Sequence, residues 1–554
     1  MNRGYVWWRL VLIGGLVACG GSEKKESNIN INPQLNPAFV LRVNVEGLDG
    51  QLVLTNHEGN PVTIASNGMM AMPSSWTQNS TYEVRVKEEP CLQRCVVSEP
   101  TGAVDSVGSK TLDIHCESKR WDLPSPDGDA MSISYSEAMS PALAMNRYGD
   151  ALLSWFQSDG FNLHLYKREW INRNWSTLNS IVDHFSFDGS NSEDVSVALS
   201  DNMESAVVWS QETSTDFFSM FLGDKTDAEW QFSPSMLNVN GSTAAQIKPI
   251  ARINSSGEKI AVWAQKVGVN YKLFKAEYRN HAWILPTSST ERISLDGSDV
   301  EGFDAAINDL GEIIIVWNQA DSNGDLQVYK AELRNGQPWS IATSPSNNLS
   351  IGGTDVGGLR VAMNNVGDAY VVWHQKDAVD GKFQIFTSQT HNAGQTWDNP
   401  NSLSDNLINV DRSATYPKVV VNDAGQVAIM FRLHNASEVY QSHVLVRSSS
   451  TAAWPTSTKR LSVADFSGPQ GNQAIGMDEF GNIVAVWSSN TSGNVYKAER
   501  RNGTWVLAQE SAPINMTNVN YNLPAVAVNN CRAIIAWQQE GSLGQKQIFI
   551  QQYR

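Results

Sequence analysis

The chain is short of positive charge: 41 Lys and Arg stand against 57 Asp and Glu, a formal net charge of −16. No basic cluster interrupts that balance, and Lys24-Lys25 is the one dibasic pair near the start. Phosphate recognition needs a basic field, so nucleic acid is excluded as a partner. Long apolar runs are missing too. The run from Leu10 to Ala18 would rise only about 14 Å as a helix, against a bilayer core of ~30 Å. The nine histidines are scattered. With no Ser-His-Asp order, phosphate-cradling glycine loop or His/Cys cluster at metal spacing, the common nucleophile, nucleotide and zinc chemistries find no footing. Cysteine is scarce: Cys19, Cys91, Cys95, Cys116 and Cys531. Three of the five crowd into residues 91–116, a usage that agrees with an oxidising compartment.

What is present describes a folded protein. Hydrophobic residues make up 41% and charged residues 18% of 554 positions, too long for one ordinary core, so two domains or a repeat array is expected. At the N-terminus, Arg3 and Arg9 flank Trp7-Trp8, and the apolar run ends in Leu16-Val17-Ala18-Cys19. That ending resembles the bacterial lipobox. The resemblance implies a signal peptide over residues 1–18, lipidation of Cys19, and a membrane contact through that anchor. Several acyl chains on one cysteine, at roughly 0.8 kcal/mol per buried methylene, hold far better than one. Gly20-Gly21-Ser22 opens a polar tether, residues 19–38. By resemblance to Gram-negative lipoproteins, Gly rather than Asp at position 20 implies the outer membrane of the cell envelope.

Residues 39–118 alternate apolar and polar over short runs, as in Phe39-Val40-Leu41-Arg42-Val43-Asn44-Val45, with turn clusters such as His57-Glu58-Gly59-Asn60-Pro61 between them. A small antiparallel β-sandwich is predicted. The stretch from Val45 to Asn56, followed by the Asn67-Gly68 turn and two late cysteines, resembles a module common in bacterial lipoproteins. The resemblance implies a spacer or adhesion-type domain in which Cys95 pairs with Cys116. Cys91 departs from the pattern and is left over.

Beyond residue 118 the chain repeats. An apolar strand ending in an aromatic residue recurs at Trp155, Trp209, Trp263, Trp317, Trp373, Phe431, Trp487 and Trp537, with spacings of 54, 54, 54, 56, 58, 56 and 50. Before each lies a hairpin such as Ile307-Asn308-Asp309-Leu310-Gly311-Glu312, where Asn bonds its own backbone and Gly takes the left-handed conformation. The last copy, Asn529-Asn530-Cys531-Arg532, is one residue short and lacks the Gly. A second tryptophan recurs at Trp121, Trp175, Trp230, Trp283, Trp339, Trp397, Trp454 and Trp505. Strand runs such as Val328-Tyr329-Lys330-Ala331-Glu332 fall between the two series. Four short strands per ~54 residues make one blade of a β-propeller. The second series begins before the first and ends before it, so a linear array would leave each unmatched. A ring in which the segment at Trp121 completes the last blade matches both. The expected fold is therefore all-β: an eight-bladed β-propeller over residues 119–554, closed by its own N-terminal strand and preceded by the sandwich.

Thr390-His391-Asn392-Ala393-Gly394-Gln395-Thr396-Trp397 resembles the Asp box of sialidase-like propellers, a structural turn that implies the fold and not catalysis. The hairpins share one face; the opposite face carries the loops after each Trp-x-Gln, which vary and are the expected binding face. Gln157, Gln211, Gln265, Gln319, Gln375 and Gln539 follow the strand aromatic by two, a repetition that predicts a structural hydrogen bond. On the innermost strands most positions are small, and Arg252, Asp304, Arg360 and Lys418 are not. They are the candidate lining of an axial pocket for a carboxylate or sulfate, unless Asp304 and Arg360 are simply neighbouring structural ions. The loop from Asp321 to Asp325 alternates oxygen donors as calcium loops do, so a structural calcium ion is the one cofactor considered. The functional expectation is a monomeric binding scaffold for a protein or glycan ligand rather than an enzyme. Two alternatives are a sialidase-like glycoside hydrolase and a periplasmic envelope-assembly scaffold. The hydrolase reading requires an arginine triad, a tyrosine with a neighbouring glutamate, and an aspartate; no tyrosine is placed on an inner strand.

Overall fold

The computed structural model describes residues 39–554, except 57–60, 73–75, 77–79, 105–107, 123–129, 172, 215–216, 227–228, 233–236, 240–248, 335, 392–393, 395, 409, 435–438, 463–469, 490–491, 510–511, 517–522 and 542. The leader, Cys19 and the tether lie outside the described residues, as does part of the segment resembling an Asp box.

In the N-terminal domain the alternation of Val40–Glu46 puts Leu41, Val43 and Val45 wholly inside, against Leu52, Leu54, Leu112 and Ile114. One sheet holds the strands Gly68–Ala71, Val40–Glu46, Ser109–Ser118 and Gln93–Val97 in that order; a second holds Pro61–Ile64, Leu52–Thr55 and Arg85–Glu88. Contrary to the antiparallel expectation, Val40–Glu46 pairs with Ser109–Ser118 in parallel. These strands are joined through most of the domain rather than by a hairpin, so no tight turn forces them antiparallel. Cys95 and Cys116 face each other across the Gln93–Val97 ladder and form a disulfide. Cys91 is not left over: it is joined to Cys531, 440 residues away.

Among the described residues, the rest of the chain forms seven four-stranded antiparallel sheets in succession, then a three-stranded one. The first comprises Ala138–Met145, Ala151–Ser158, Leu163–Ile171 and Asn174–Trp175. The last comprises Ala525–Asn529, Arg532–Glu540 and Lys546–Tyr553. Each innermost strand packs on that of the next sheet, and the last innermost strand packs on the first. This is a closed, β-propeller-like all-β fold. Trp121 bridges Tyr553 on the open side of the last sheet, Arg120 and Arg554 exchange backbone hydrogen bonds of 3.2 and 3.1 Å, and Asp122 N donates to Gln552 O at 2.9 Å.

Three repeated side-chain devices explain why this sequence closes. The first tryptophan series is fully buried, each indole contributing roughly 5 kcal/mol of transfer free energy at the usual area coefficient. Its N–H needs a partner there, and the glutamine two residues on supplies it: Trp317 Nε1 donates to Gln319 Oε1 at 3.2 Å. Gln319 in turn clamps the connector entering its sheet, accepting from Leu295 N (3.1 Å) and donating to Leu295 O (2.8 Å). The same clamp recurs at Gln157, Gln211, Gln265 and Gln375. The glutamine series is structural.

The hairpin asparagines tie neighbouring sheets. Asn308 Oδ1 accepts from Leu310 N and Glu312 N, while its Nδ2 donates to Asn364 O of the next sheet. Asn146, Asn254, Asn364 and Asn422 donate likewise to their next neighbour. Asn530 closes the circuit by donating to Arg147 O at 2.5 Å. Its hairpin manages without Gly because Asn530 (φ 41°) and Cys531 (φ 60°) both adopt the left-handed conformation of a two-residue turn.

Four of the second tryptophans are latches. Trp230, Trp339, Trp397 and Trp121 donate Nε1 to Glu169, Glu277, Glu332 and Glu499 on the preceding sheet, at 2.6–2.8 Å for all but Trp397. A lysine two residues before each glutamate lies over the indole, 4.4–5.1 Å from its centre. Trp121 thus stands toward Glu499 as the others stand toward theirs, which ties the closing segment to the seventh sheet as well as to the last.

Candidate functional site

The N-terminal domain sits on the hairpin face, at the join of the last and first sheets. Besides the Cys91–Cys531 bond, Glu89 reaches Arg173 at 2.9 Å, Lys119 at 3.2 Å and Arg532 at 3.4 Å. The opposite face, where the innermost strands begin, is the one left to the loops between sheets.

Asp304, Arg360 and Lys418 share one register position, opposite Val316, Val372 and Met430, each just before the strand aromatic. Arg252 lies further along its strand, opposite Ile260. The structure brings together Arg252 and Asp304, not Asp304 and Arg360: Arg252 Nη2 meets Asp304 Oδ1 at 2.8 Å. Asp304 is buried, and its Oδ2 accepts Val361 N of the next sheet at 3.2 Å. Ser196 holds Ala251 N at 3.0 Å in the same way two sheets earlier. Asp304 is therefore a bracket between sheets, with Arg252 as its counter-ion. Arg360, half-buried, donates to Leu359 O at 2.5 Å. Lys418 is half-buried on the neighbouring inner strand.

The residues that sequence reasoning missed lie one step toward the open face. There the innermost strands slip register at β-bulges, between Met139 and Ala142, Glu193 and Val195, Gly357 and Arg360, and Thr415 and Lys418. Ser140, Asp194, Gly358 and Tyr416 sit in these bulges with φ of 56°, 50°, 60° and 52°. Gly accepts this freely; a bulky side chain pays on the order of 1–3 kcal/mol, and bulges re-aim side chains beside working sites. Contrary to expectation, then, a tyrosine does stand on an inner strand. The signal was Pro417, because proline cannot donate to a ladder and enters a sheet at an edge or bulge; Ser140-Pro141 repeats it.

Tyr416 is 49% exposed. The Arg432 guanidinium lies 4.6 Å from the centre of its ring, Tyr416 N donates to His374 Nδ1 at 3.2 Å, and Tyr416 O accepts from Gln473 Nε2 at 2.6 Å. Burial lowers the Arg432 pKa, opposed by the phenols of Tyr416 and Tyr440; Tyr440 itself packs edge-on to His434 at 4.0 Å. Arg360 and Lys418 occupy the next inward positions of the same two strands. The fifth and sixth sheets thus present phenol rings and cations together. On the second sheet Asp194 adjoins Glu193, whose carboxyl is pushed up by burial, then by Asp194 and Glu212. The loop from Asp321 to Asp325 turns on itself, Asp321 Oδ1 accepting from Asn323 N and Asp325 N.

Burial pushes the His374 imidazole down to about 4, and burial does the same for His443, helped by Arg460 and Arg412. Both stay neutral in the fold, whereas an unfolded imidazole titrates near 6.5. The folded state then binds fewer protons below that value. Stability present above pH 6.5 is lost as pH falls toward 4, by up to about 3 kcal/mol per group. Denaturant titrations between pH 7 and 4 are expected to show this fall, and His374→Gln should flatten it.

No protein-family model and no curated protein matches the sequence. Among solved structures, the chain is similar to a protein of unknown function from Dyadobacter fermentans, at 11% identity over 59% of this chain and 98% of that one, with a TM-score of 0.32. It is also similar to an ulvan lyase of polysaccharide lyase family PL25 (10% identity, 72% and 98% covered, TM-score 0.39). A third similar structure is the alpha-L-arabinofuranosidase arb93a of Fusarium graminearum (10% identity, 54% and 90% covered, TM-score 0.33).

Proposed function

We propose that the chain is an envelope lipoprotein in which a β-sandwich spacer carries an eight-bladed β-propeller, and that the propeller binds a carbohydrate bearing carboxylate or sulfate groups at the mouth of its open face. The observation that carries the reading is Tyr416, held at φ 52° on an inner strand with Arg432 against its ring. An aromatic face offers stacking to a sugar ring, and guanidinium or ammonium groups at fixed spacing offer pairing to an acidic substituent. Arg360 and Lys418 supply the second and third cations. Eight blades are supported by the succession of sheets and by the Trp121–Glu499 latch. A lipid at Cys19 would hold the assembly to its membrane, and protease shaving of intact cells reports which side it faces.

Full-length protein in detergent is expected to be retained by immobilised acidic oligosaccharides and not by neutral ones. The Arg360→Ala/Lys418→Ala double variant should lose at least tenfold in affinity, as each charge-assisted pair contributes about 1.5–3 kcal/mol. Unchanged capture by a folded double variant would remove the mouth as the site.

One observation favours a second reading, cleavage of a glycosidic bond: Glu193 stands at an inner-strand bulge beside Asp194, its carboxyl raised by burial and by the charges of Asp194 and Glu212. Release of product from sialosides or other acidic glycosides, abolished by Glu193→Gln and Tyr416→Phe, would establish it. Binding without turnover would confine the mouth to recognition.

A further inference from the structure

Four of the ring sheets carry the Lys-x-Glu latch on their third strand: Lys167 and Glu169, Lys275 and Glu277, Lys330 and Glu332, Lys497 and Glu499. On the last sheet the register puts Ile550 opposite Ala536 and Gln552 opposite Ile534, the places of that lysine and glutamate. The next tryptophan, Trp175, consequently has no carboxylate to meet, and its Nε1 is buried without a partner. Trp283 and Trp454 share that feature, so it marks no site by itself.

At Trp175, however, a cavity of about 780 Å³ opens along the join of the last and first sheets. Among the described residues its charged lining is four arginines, Arg120, Arg168, Arg173 and Arg554, against the carboxylate Asp122. That is a local excess of +3 in a chain of net charge −16. Two of its walls are indoles, Trp170 and Trp175, 5.5 Å apart and inclined at 50°.

The arginines are not equivalent. Arg554 pairs with Asp122 at 2.5 Å and lies over Trp170, and Arg173 pairs with Glu89. Among the described residues Arg168 meets no carboxylate: its Nε donates to Ser176 O at 2.6 Å and its Nη1 to Met131 O at 3.5 Å. It also breaks the repeat. The register places it opposite Leu153, two residues before the strand aromatic, where three other sheets carry Ala276, Ala331 and Ala498 and the rest carry Gly223, Ser388, Leu445 and Gln551. No other sheet carries a charge at this position, so the repeat does not demand a guanidinium there. Burial lowers its pKa, as it does for a cation partly removed from water without a counter-charge.

We propose that this cleft is a second binding site, for the carboxylate or sulfate of an acidic saccharide, with Arg168 pairing the anion and Trp175 stacking on the ring. An indole that covers one apolar sugar face, beside guanidinium groups that pair an in-plane anion, matches a uronate or sulfated residue. Loss of the latch glutamate in favour of Gln552 removes the carboxylate that would repel it. The site is remote from the mouth and stands or falls separately from it.

The test titrates full-length protein with oligogalacturonate, with chondroitin sulfate oligosaccharide and with the neutral methyl ester of the first, following tryptophan fluorescence. Wild type and the Arg360→Ala/Lys418→Ala mouth variant should both show the cleft's saturable change with one or both acidic probes and none with the ester. Arg168→Gln and, independently, Trp175→Phe should weaken that phase at least tenfold, at unchanged thermal midpoint for Arg168→Gln. If neither acidic probe binds wild type, or if Arg168→Gln binds like wild type, the proposal is overturned. Equal binding of the ester also overturns it, because the anion would then be irrelevant.

Discussion

Replacing Cys91 by Ser, or reducing the Cys91–Cys531 bond, is expected to produce the largest loss of stability of any single change that leaves the ring core untouched. The bond spans 440 residues. The chain-entropy relation gives about 6 kcal/mol for a loop of that length, above the ~2–4 kcal/mol that is typical. What remains between the domains is the Glu89 cluster. Burial works to raise the Glu89 carboxyl, and Lys119, Arg532 and Arg173 more than offset it, holding the group charged. Burial brings Lys119 down to about 8. A buried cluster of this kind holds its geometry strongly but contributes little net stability, because desolvation cancels most of the attraction. The expected result is therefore a lower unfolding midpoint under reducing conditions, together with protease cleavage between residues 118 and 130 that the oxidised protein resists. A Cys91→Ser variant that matches wild type in both measurements would show the bond to be dispensable.

The second large effect is expected at Trp121. Its indole donates to Glu499 at 2.6 Å, lies under Lys497, and packs on Tyr553 at 5.5 Å. Trp121→Ala removes all three contacts and the apolar area with them, a loss of about 3 kcal/mol for a large-to-small change. Because the ring is closed through this residue, the damage should be directional. Hydrogen exchange is expected to quicken first in Lys546–Tyr553 and Val495–Arg501, the strands it joins, while strands on the far side keep their protection. Glu499→Gln, which keeps the shape and can still accept the indole hydrogen, should show a smaller change in the same strands. Uniform acceleration around the ring would instead mean that Trp121 is merely one core residue among many.

Much of this molecule was legible because its information is local and repeated. A Trp-x-Gln pair reads as structural in the sequence and is so, since both partners lie on one strand and recur every ~54 residues. The Asn hairpins are legible for the same reason. The phase of the two tryptophan series also forecast that the segment at Trp121 meets the end of the last sheet, as it does. The candidate sites were less legible. Arg252, Asp304, Arg360 and Lys418 stood out as large polar residues among small ones, but which cation pairs with Asp304 depends on neighbouring strands whose register no composition reveals. Tyr416 was hidden because a bulge shifts the strand by one residue and so reverses the side its chain takes.

What the residues alone determined, then, is the period: strand, hairpin and clamp follow from contacts within one repeat. What only the tertiary structure decided is what joins distant parts of the chain outside that period. The Cys91–Cys531 bond, the parallel pairing of Val40–Glu46 with Ser109–Ser118, and the Arg168 cleft all unite residues whose separation carries no periodic signal. The physical reason is that periodicity encodes which face a side chain takes, whereas partners far apart in sequence are chosen by the closure of the whole ring.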